Sequence, residues 1–158
     1  MPNLPVGTIV MYDRAHVLIA KAISGPDAGL WTIPNGVIGD GETVRNASVR
    51  SIKEDAGVDV EPKMTLFICE RVVSDDHRVA VFVLAEPVLA PASVASSVLP
   101  SEPVLIPGAG YSDVRWVDVR NLGDVQKNEG MSDFTADAFV KFSGFLKTQA
   151  SATSGRVN

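Results

Sequence analysis

The sequence predicts an α/β fold, on three observations. Five runs rich in Val, Ile, Leu and aromatic residues, Val6 to Tyr12, His16 to Ala22, Met64 to Val73, Arg78 to Leu89 and Tyr111 to Val119, have strand length and are bounded by turn-forming residues. A Gly-rich loop from Gly36 to Gly41 runs into a segment of helical character that Gly57 closes. A second helical stripe, Phe139, Phe142, Phe145 and Leu146, lies near the C-terminus. With 158 residues, 46% of them apolar, the chain can bury one core, so residues 1–147 are read as a single domain. Residues 148–158, small and polar, are read as a disordered tail.

Charge and composition narrow the function classes. The net charge of -5 leaves no basic surface for a nucleic-acid backbone and no polybasic patch for a membrane. An anionic ligand would therefore need a metal to bridge it. The single Cys69 excludes an internal disulfide and a Cys-based zinc cluster. The opening MPNLPVGTIVMYD lacks a charged leader ahead of its short apolar run, and no stretch reaches about 18 consecutive apolar residues. A cytoplasmic protein is the expectation.

In chain order, Asp13-Arg14-Ala15 breaks the first apolar run and predicts a hairpin, with His16 at its edge and given no role. Dense turn chemistry from Ser24 to Gly29 delivers Leu30 to Ile33 as a short strand that presents Trp31. Gly36, Gly39 and Gly41 then permit a tight loop that can approach a ligand closely. Thr43 is a suitable N-cap and Gly57 a suitable left-handed C′ residue, which places a helix over Val44 to Ala56. On that helix Val49, Ile52 and Ala56 share one side, and Ala47, Ser51, Glu54 and Asp55 another. Glu54 and Asp55 stand about 100° apart, near enough for both to reach one hard cation such as Mg²⁺ or Mn²⁺; a solvated acidic face is the plainer reading.

Beyond Val58 the two long β runs are joined at Ser74-Asp75-Asp76-His77, a turn rather than a metal site, because contiguous turn residues cannot all converge on one ion. Glu70 and Glu86 lie in these strands and their faces depend on register. Ala90 to Gly110 reads as a long surface loop, of the kind that serves as a lid or substrate wall, and Glu102 is its only carboxylate. Tyr111 to Val119 is a last strand with Trp116 buried, followed through Arg120 to Leu122 by a turn. Ser132 caps a closing helix from Asp133 to Lys147 whose phenylalanines are core.

Gly36, Glu42, Arg50, Ile52, Glu54, Gly57 and Val58 stand without insertion in a pattern of Gly, five residues, Glu, seven residues, Arg-Glu-apolar-x-Glu-Glu-x-Gly-apolar. This resembles the signature of the Nudix hydrolase family. Ser51 and Asp55 depart from it, each standing where the family has Glu, and Asn35 sits where a second Gly is usual. The resemblance implies an α/β/α sandwich in which a curved mixed sheet lies between the central and C-terminal helices. It also implies divalent-metal-dependent hydrolysis, with Mg²⁺ or Mn²⁺, of the diphosphate linkage in a nucleoside diphosphate joined to another moiety. Carried onto this chain, the metal ligands are the Gly36 carbonyl, Glu54 and Asp55, and the catalytic set is Arg50, Glu54 and Glu102. Glu102 stands as an acid from outside the motif, with Glu86 and Asp113 behind it. Glu42 and Ser51 support the site, and Trp31 contacts substrate. The implied partner is a small-molecule nucleotide, and a homodimer is common among relatives that cleave ADP-ribose. Because Ser51 projects between Glu54 and Asp55, the missing Glu would have been the middle carboxylate. That favours the alternative, a nucleotide-binding sensor or regulatory module on the same fold.

Overall fold

Strand β1 (Pro5–Tyr12) is the hub of the structure. The computed structural model describes residues 4–88 and 102–154, giving the backbone alone for Val73 and for residues 150–154. β1 turns at Asp13 and Arg14, with φ of 53° and 62°, into β2 (His16–Ala22). The Asp13 carboxylate accepts the N–H groups of Ala15 and His16 at 3.0 and 3.1 Å, which is how a short polar side chain stabilises that turn. β2 pairs antiparallel with β3 (Trp31–Thr32), and β1 with β4 (Asn35–Val37). The hairpin of β5 (Val60–Val73) and β6 (Asp76–Pro87) joins through a parallel pairing of β6 with β1, and β7 (Tyr111–Asp118) lies antiparallel against β2. One parallel pair among antiparallel ones makes the seven-stranded sheet mixed.

Helices cover both faces. α1 (Val44–Ala56) packs Ile52 and Ala56 against Val10, Leu18, Ala20 and Ala85, while Ala47 meets Val6 and Val83. On the opposite face, Val125 of α2 (Leu122–Asn128) and Ala138, Phe139 and Phe142 of α3 (Asp133–Ser154) close over Ile9, Ile19 and Phe82. This is the expected sandwich. The caps of α1 are also as read: the Asn46 N–H donates to Thr43 Oγ1 at 3.0 Å, and Gly57 ends the helix at φ 73° with its N–H on the Lys53 carbonyl.

Four expectations change. Gly36 lies in β4, paired with Val6 of β1, rather than in a free loop. The β5–β6 turn shrinks to Ser74 and Asp75, since Val73 already pairs with Asp76. A short helix, α2, stands where a turn was expected after β7. α3 runs past Lys147 to Ser154, because no Gly or Pro interrupts residues 145–154 and the Thr148 hydroxyl donates to the Gly144 carbonyl at 3.0 Å. Residues 155–158 of the expected tail, residues 90–101 of the expected loop and Leu89 at the end of the expected strand lie outside the described residues. The described end of that loop is bound to α1: Ile106 N–H donates to the Ala56 carbonyl and Gly108 N–H to that of Asp55, at 2.9 and 2.8 Å. Among the described residues no helix is long and apolar enough to cross a membrane.

Candidate functional site

Arg50 ties the Gly-rich loop to α1. Its Nε and Nη2 donate to the two oxygens of Glu42 at 2.8 and 2.9 Å, Nη2 also reaches the Val37 carbonyl at 2.8 Å, and Nη1 reaches Glu54 Oε2 at 3.2 Å. Glu42 additionally accepts the Gly39 N–H at 2.9 Å, and its side chain is only 16% exposed. Hydrogen bonds from Arg50, foremost, then from the Gly39 amide, hold its carboxyl down at about 2. A two-pronged guanidinium–carboxylate pair fixes geometry as well as charge, and here it ties the loop to the helix.

The neighbouring acids differ in environment. Glu54 is 61% exposed and meets Arg50. Asp55 is half-buried, and its Oδ2 is buried with no hydrogen-bond partner among the described residues. Burial, then the charge of Glu54, pushes its carboxyl up to about 6, against the pull of the Tyr111 hydroxyl and of Arg50. Tyr111 is itself pushed up to about 12, by burial first and by the Asp55 charge next, and its oxygen accepts the Asn35 N–H at 3.5 Å. Asp55 and Tyr111 line a cavity of about 330 Å³ with Ser24, Asp27, Thr32 and Asn35.

The helix face expected to look onto the site is half covered. Ala47 and Ser51 are 1% and 2% exposed, and the Ser51 hydroxyl donates back to the Ser48 carbonyl at 3.3 Å. A Cβ placed on Gly36 would lie 2.7 Å from that of Ser51, so β4 rests directly on α1 there and only glycine fits. Glu54 and Asp55 alone emerge. Among the described residues no three His, Cys, Asp or Glu side chains gather as a metal site. An orphaned carboxylate oxygen beside a second, accessible carboxylate does fit one hard cation of the kind that keeps waters and takes substrate oxygens as its remaining ligands.

Two expected site residues stand elsewhere. Trp31 is 2% exposed, in the α2–α3 core, with the Arg115 guanidinium 4.4 Å from its ring centroid, so it is a core residue and not a substrate contact. Glu102 is exposed, acts on Tyr12, and borders a separate depression with Trp116. The Trp116 indole N–H holds the Pro103 carbonyl there at 2.9 Å, and Glu102 does not line the cavity at Asp55. Glu86 faces Lys63 at 3.7 Å. His77 and Asp76 diverge onto Glu70 and Arg78, so the turn is no metal site.

Sequence reading missed a cavity of about 740 Å³, with Ile33, Ala80, Phe82, Phe134 and Thr135 inside and Asp27, Asn35, His77 and Arg78 among its polar lining. Its walls come from separate segments, and the local signals were slight: an Asn in place of a Gly at position 35, and Phe134 at the start of α3. The cavity shares Asp27 and Asn35 with the one at Asp55. The apolar chamber and the cavity at Asp55 therefore adjoin at Asp27 and Asn35.

A family model of the NUDIX domain matches residues 1–138. Nudix hydrolase 2 of Arabidopsis thaliana is 36% identical over 58 residues, which are 35% of this chain and 21% of that protein, so the match spans about a fifth of the relative's length. The fold is similar to that of the MutT NUDIX hydrolase from Burkholderia pseudomallei, with a TM-score of 0.66 and 22% identity over 89% of this chain and 98% of that one. It is similar also to the NUDIX domain of Shewanella oneidensis NrtR, solved in complex with ADP ribose, with a TM-score of 0.67 and 20% identity over 92% of this chain and 89% of that one. At these identities the two structural likenesses are likenesses of fold.

Proposed function

The chain belongs to the NUDIX domain family, and from that premise we propose that it hydrolyses the diphosphate linkage of a nucleoside diphosphate joined to a second moiety, using Mg²⁺ or Mn²⁺. The observation that carries this reading is the partnerless Oδ2 of Asp55, next to Glu54 in sequence, on a residue whose cavity adjoins a chamber of about 740 Å³, large enough for a nucleoside. Glu54, Asp55 and the Gly36 carbonyl would hold the cation, which when bound neutralises the diphosphate charge for attack by water. A water oxygen bonds to one phosphorus and gives up a proton to solvent, the bridging P–O bond breaks with its electron pair on the leaving phosphate oxygen, and two phosphorylated products leave. Within the chain, the Phe134 and Phe82 rings offer the base an apolar wall, and Asn35 stands where the diphosphate passes toward Asp55. Arg50 keeps the Gly39–Glu42 turn and Glu54 in fixed relation. Its guanidinium is already engaged by Glu42, so its role is to position rather than to transfer a proton. Glu102 has no part in this scheme.

A second reading, a module that binds a nucleotide without cleaving it efficiently, is favoured by Ser51, neutral and buried where the family signature has Glu. Incubation with Mg²⁺ or Mn²⁺ and a panel of ADP-ribose, dinucleotides, nucleotide sugars and nucleoside triphosphates separates the two. Hydrolysis should release two phosphorylated products from at least one member. Tight nucleotide binding with no turnover across the panel would replace the first reading by the second.

A further inference from the structure

We propose that the segment Ile106 to Tyr111 is a strap that positions Asp55, with Tyr111 as the positioning residue; the inference rests on the reading of Asp55 as a cation ligand. The strap grips Asp55 twice. On the main chain, Gly108 N–H donates to the Asp55 carbonyl at 2.8 Å and Ile106 N–H to that of Ala56 at 2.9 Å, taking up carbonyls that the end of α1 leaves free. The approach is so close that a Cβ on Gly108 would lie 2.1 Å from the Glu54 carbonyl oxygen, a path open only to glycine. The Tyr111 N–H then returns to the Gly108 carbonyl at 3.2 Å, closing a turn that sends the half-buried ring back toward the helix. From there its hydroxyl takes the Asn35 N–H, one residue before Gly36, and the ring lines the same cavity as Asp55, whose carboxyl the hydroxyl helps to keep ionised.

The same short segment thus fixes the backbone and the side chain of Asp55, and ties both to the strand that holds Gly36. Helix neighbours cannot do this. Ser51, one turn earlier on α1, spends its hydroxyl on the Ser48 carbonyl and lies under Gly36, so it offers Asp55 nothing to lean on. Tyr111 engages the carboxylate while leaving Oδ2 without a partner. An aspartate, with one methylene less reach than the glutamate of the family signature, is held in place from outside the helix, with one oxygen buried and free of a partner among the described residues.

The test is a double-mutant cycle on Mn²⁺ affinity, read by electron paramagnetic resonance for the whole chain, Tyr111→Phe, Asp55→Asn and the double variant. Removing a partner that orients a ligand typically weakens metal binding by about tenfold or more. Tyr111→Phe should therefore raise the Mn²⁺ dissociation constant about tenfold in the native background and change it little beside Asp55→Asn. Circular dichroism should be unaltered, and kcat at saturating Mn²⁺ should be largely restored. An unchanged constant in Tyr111→Phe, or the same loss in both backgrounds, overturns the strap. Absence of Mn²⁺ binding by the unmodified chain overturns the strap and the ligand reading of Asp55 together. The expected cycle without turnover on any nucleotide upholds the strap and removes only the hydrolase reading.

Discussion

At Asp55 burial and the Glu54 charge both oppose ionisation, and the carboxyl is pushed from 3.8 up to about 6. A folded value above the unfolded one means that the folded state holds the proton more tightly. The stability this lends is present in full below the unfolded value and is lost as pH rises through about 6. Asp55→Asn should accordingly stabilise the metal-free protein near pH 8 by about 1 kcal/mol, a figure reduced for the partial exposure of the group, and should have little effect near pH 4. Urea unfolding at the two pH values checks the sign. Ser51→Glu tests the neighbouring position. A carboxylate that emerges beside Glu54 should tighten Mn²⁺ binding by about tenfold, at a cost of about 1–3 kcal/mol for crowding against Gly36. Unchanged Mn²⁺ affinity in a folded variant would mean that position 51 does not face the cation. The angular placement of Ser51 among the acids was legible from helix geometry alone. Its burial was not, because it depends on β4 lying across α1.

Elements defined by local chemistry were the readable ones. Thr43 and Gly57 bound α1 because an N-cap hydroxyl and a left-handed glycine act within one turn of their own positions. The hairpin after Tyr12 was readable for the same reason. β4 and the strap were opaque, since each exists through partners distant in sequence: Val6 for Gly36, and Asp55 and Ala56 for Gly108 and Ile106. Trp31 shows the same limit. Its place in the approach to the motif suggested a ligand contact, but pairing with β2 and closure by α2 and α3 put it in the core. The strap carries its own consequence for stability. Gly108→Ala sets a methyl group against the Glu54 carbonyl oxygen, so it should cost about 1–3 kcal/mol in thermal unfolding, whereas alanine at Gly110, where an added Cβ meets nothing within 4 Å, should cost much less. Equal effects at the two glycines would contradict the close approach.

Across the whole molecule, the sandwich places an apolar chamber next to the cavity that Asp55 lines, on a chain whose net charge is -5. A diphosphate enters such a site against like charge unless a cation accompanies it. The chamber should then contribute binding more than rate. Phe134→Ala, which removes a half-buried ring from its wall, should raise KM about tenfold with kcat nearly preserved, the loss of one stacked aromatic contact. A fall in kcat with unchanged KM would place the base elsewhere. Fold class and the acidic pair were legible in the sequence, since they rest on apolar runs and on spacings along one helix. The chamber was not, since its lining converges from strands and a helix far apart in the chain. The most direct measurement is the rate of diphosphate hydrolysis by Glu54→Gln at saturating Mg²⁺, with nucleotide affinity followed in parallel. Loss of a cation-holding carboxylate should lower kcat by about a hundredfold or more while the nucleotide still binds. A variant that cleaves as fast as the unmodified chain would show that the reaction does not depend on Glu54, and would contradict the placement of the cation.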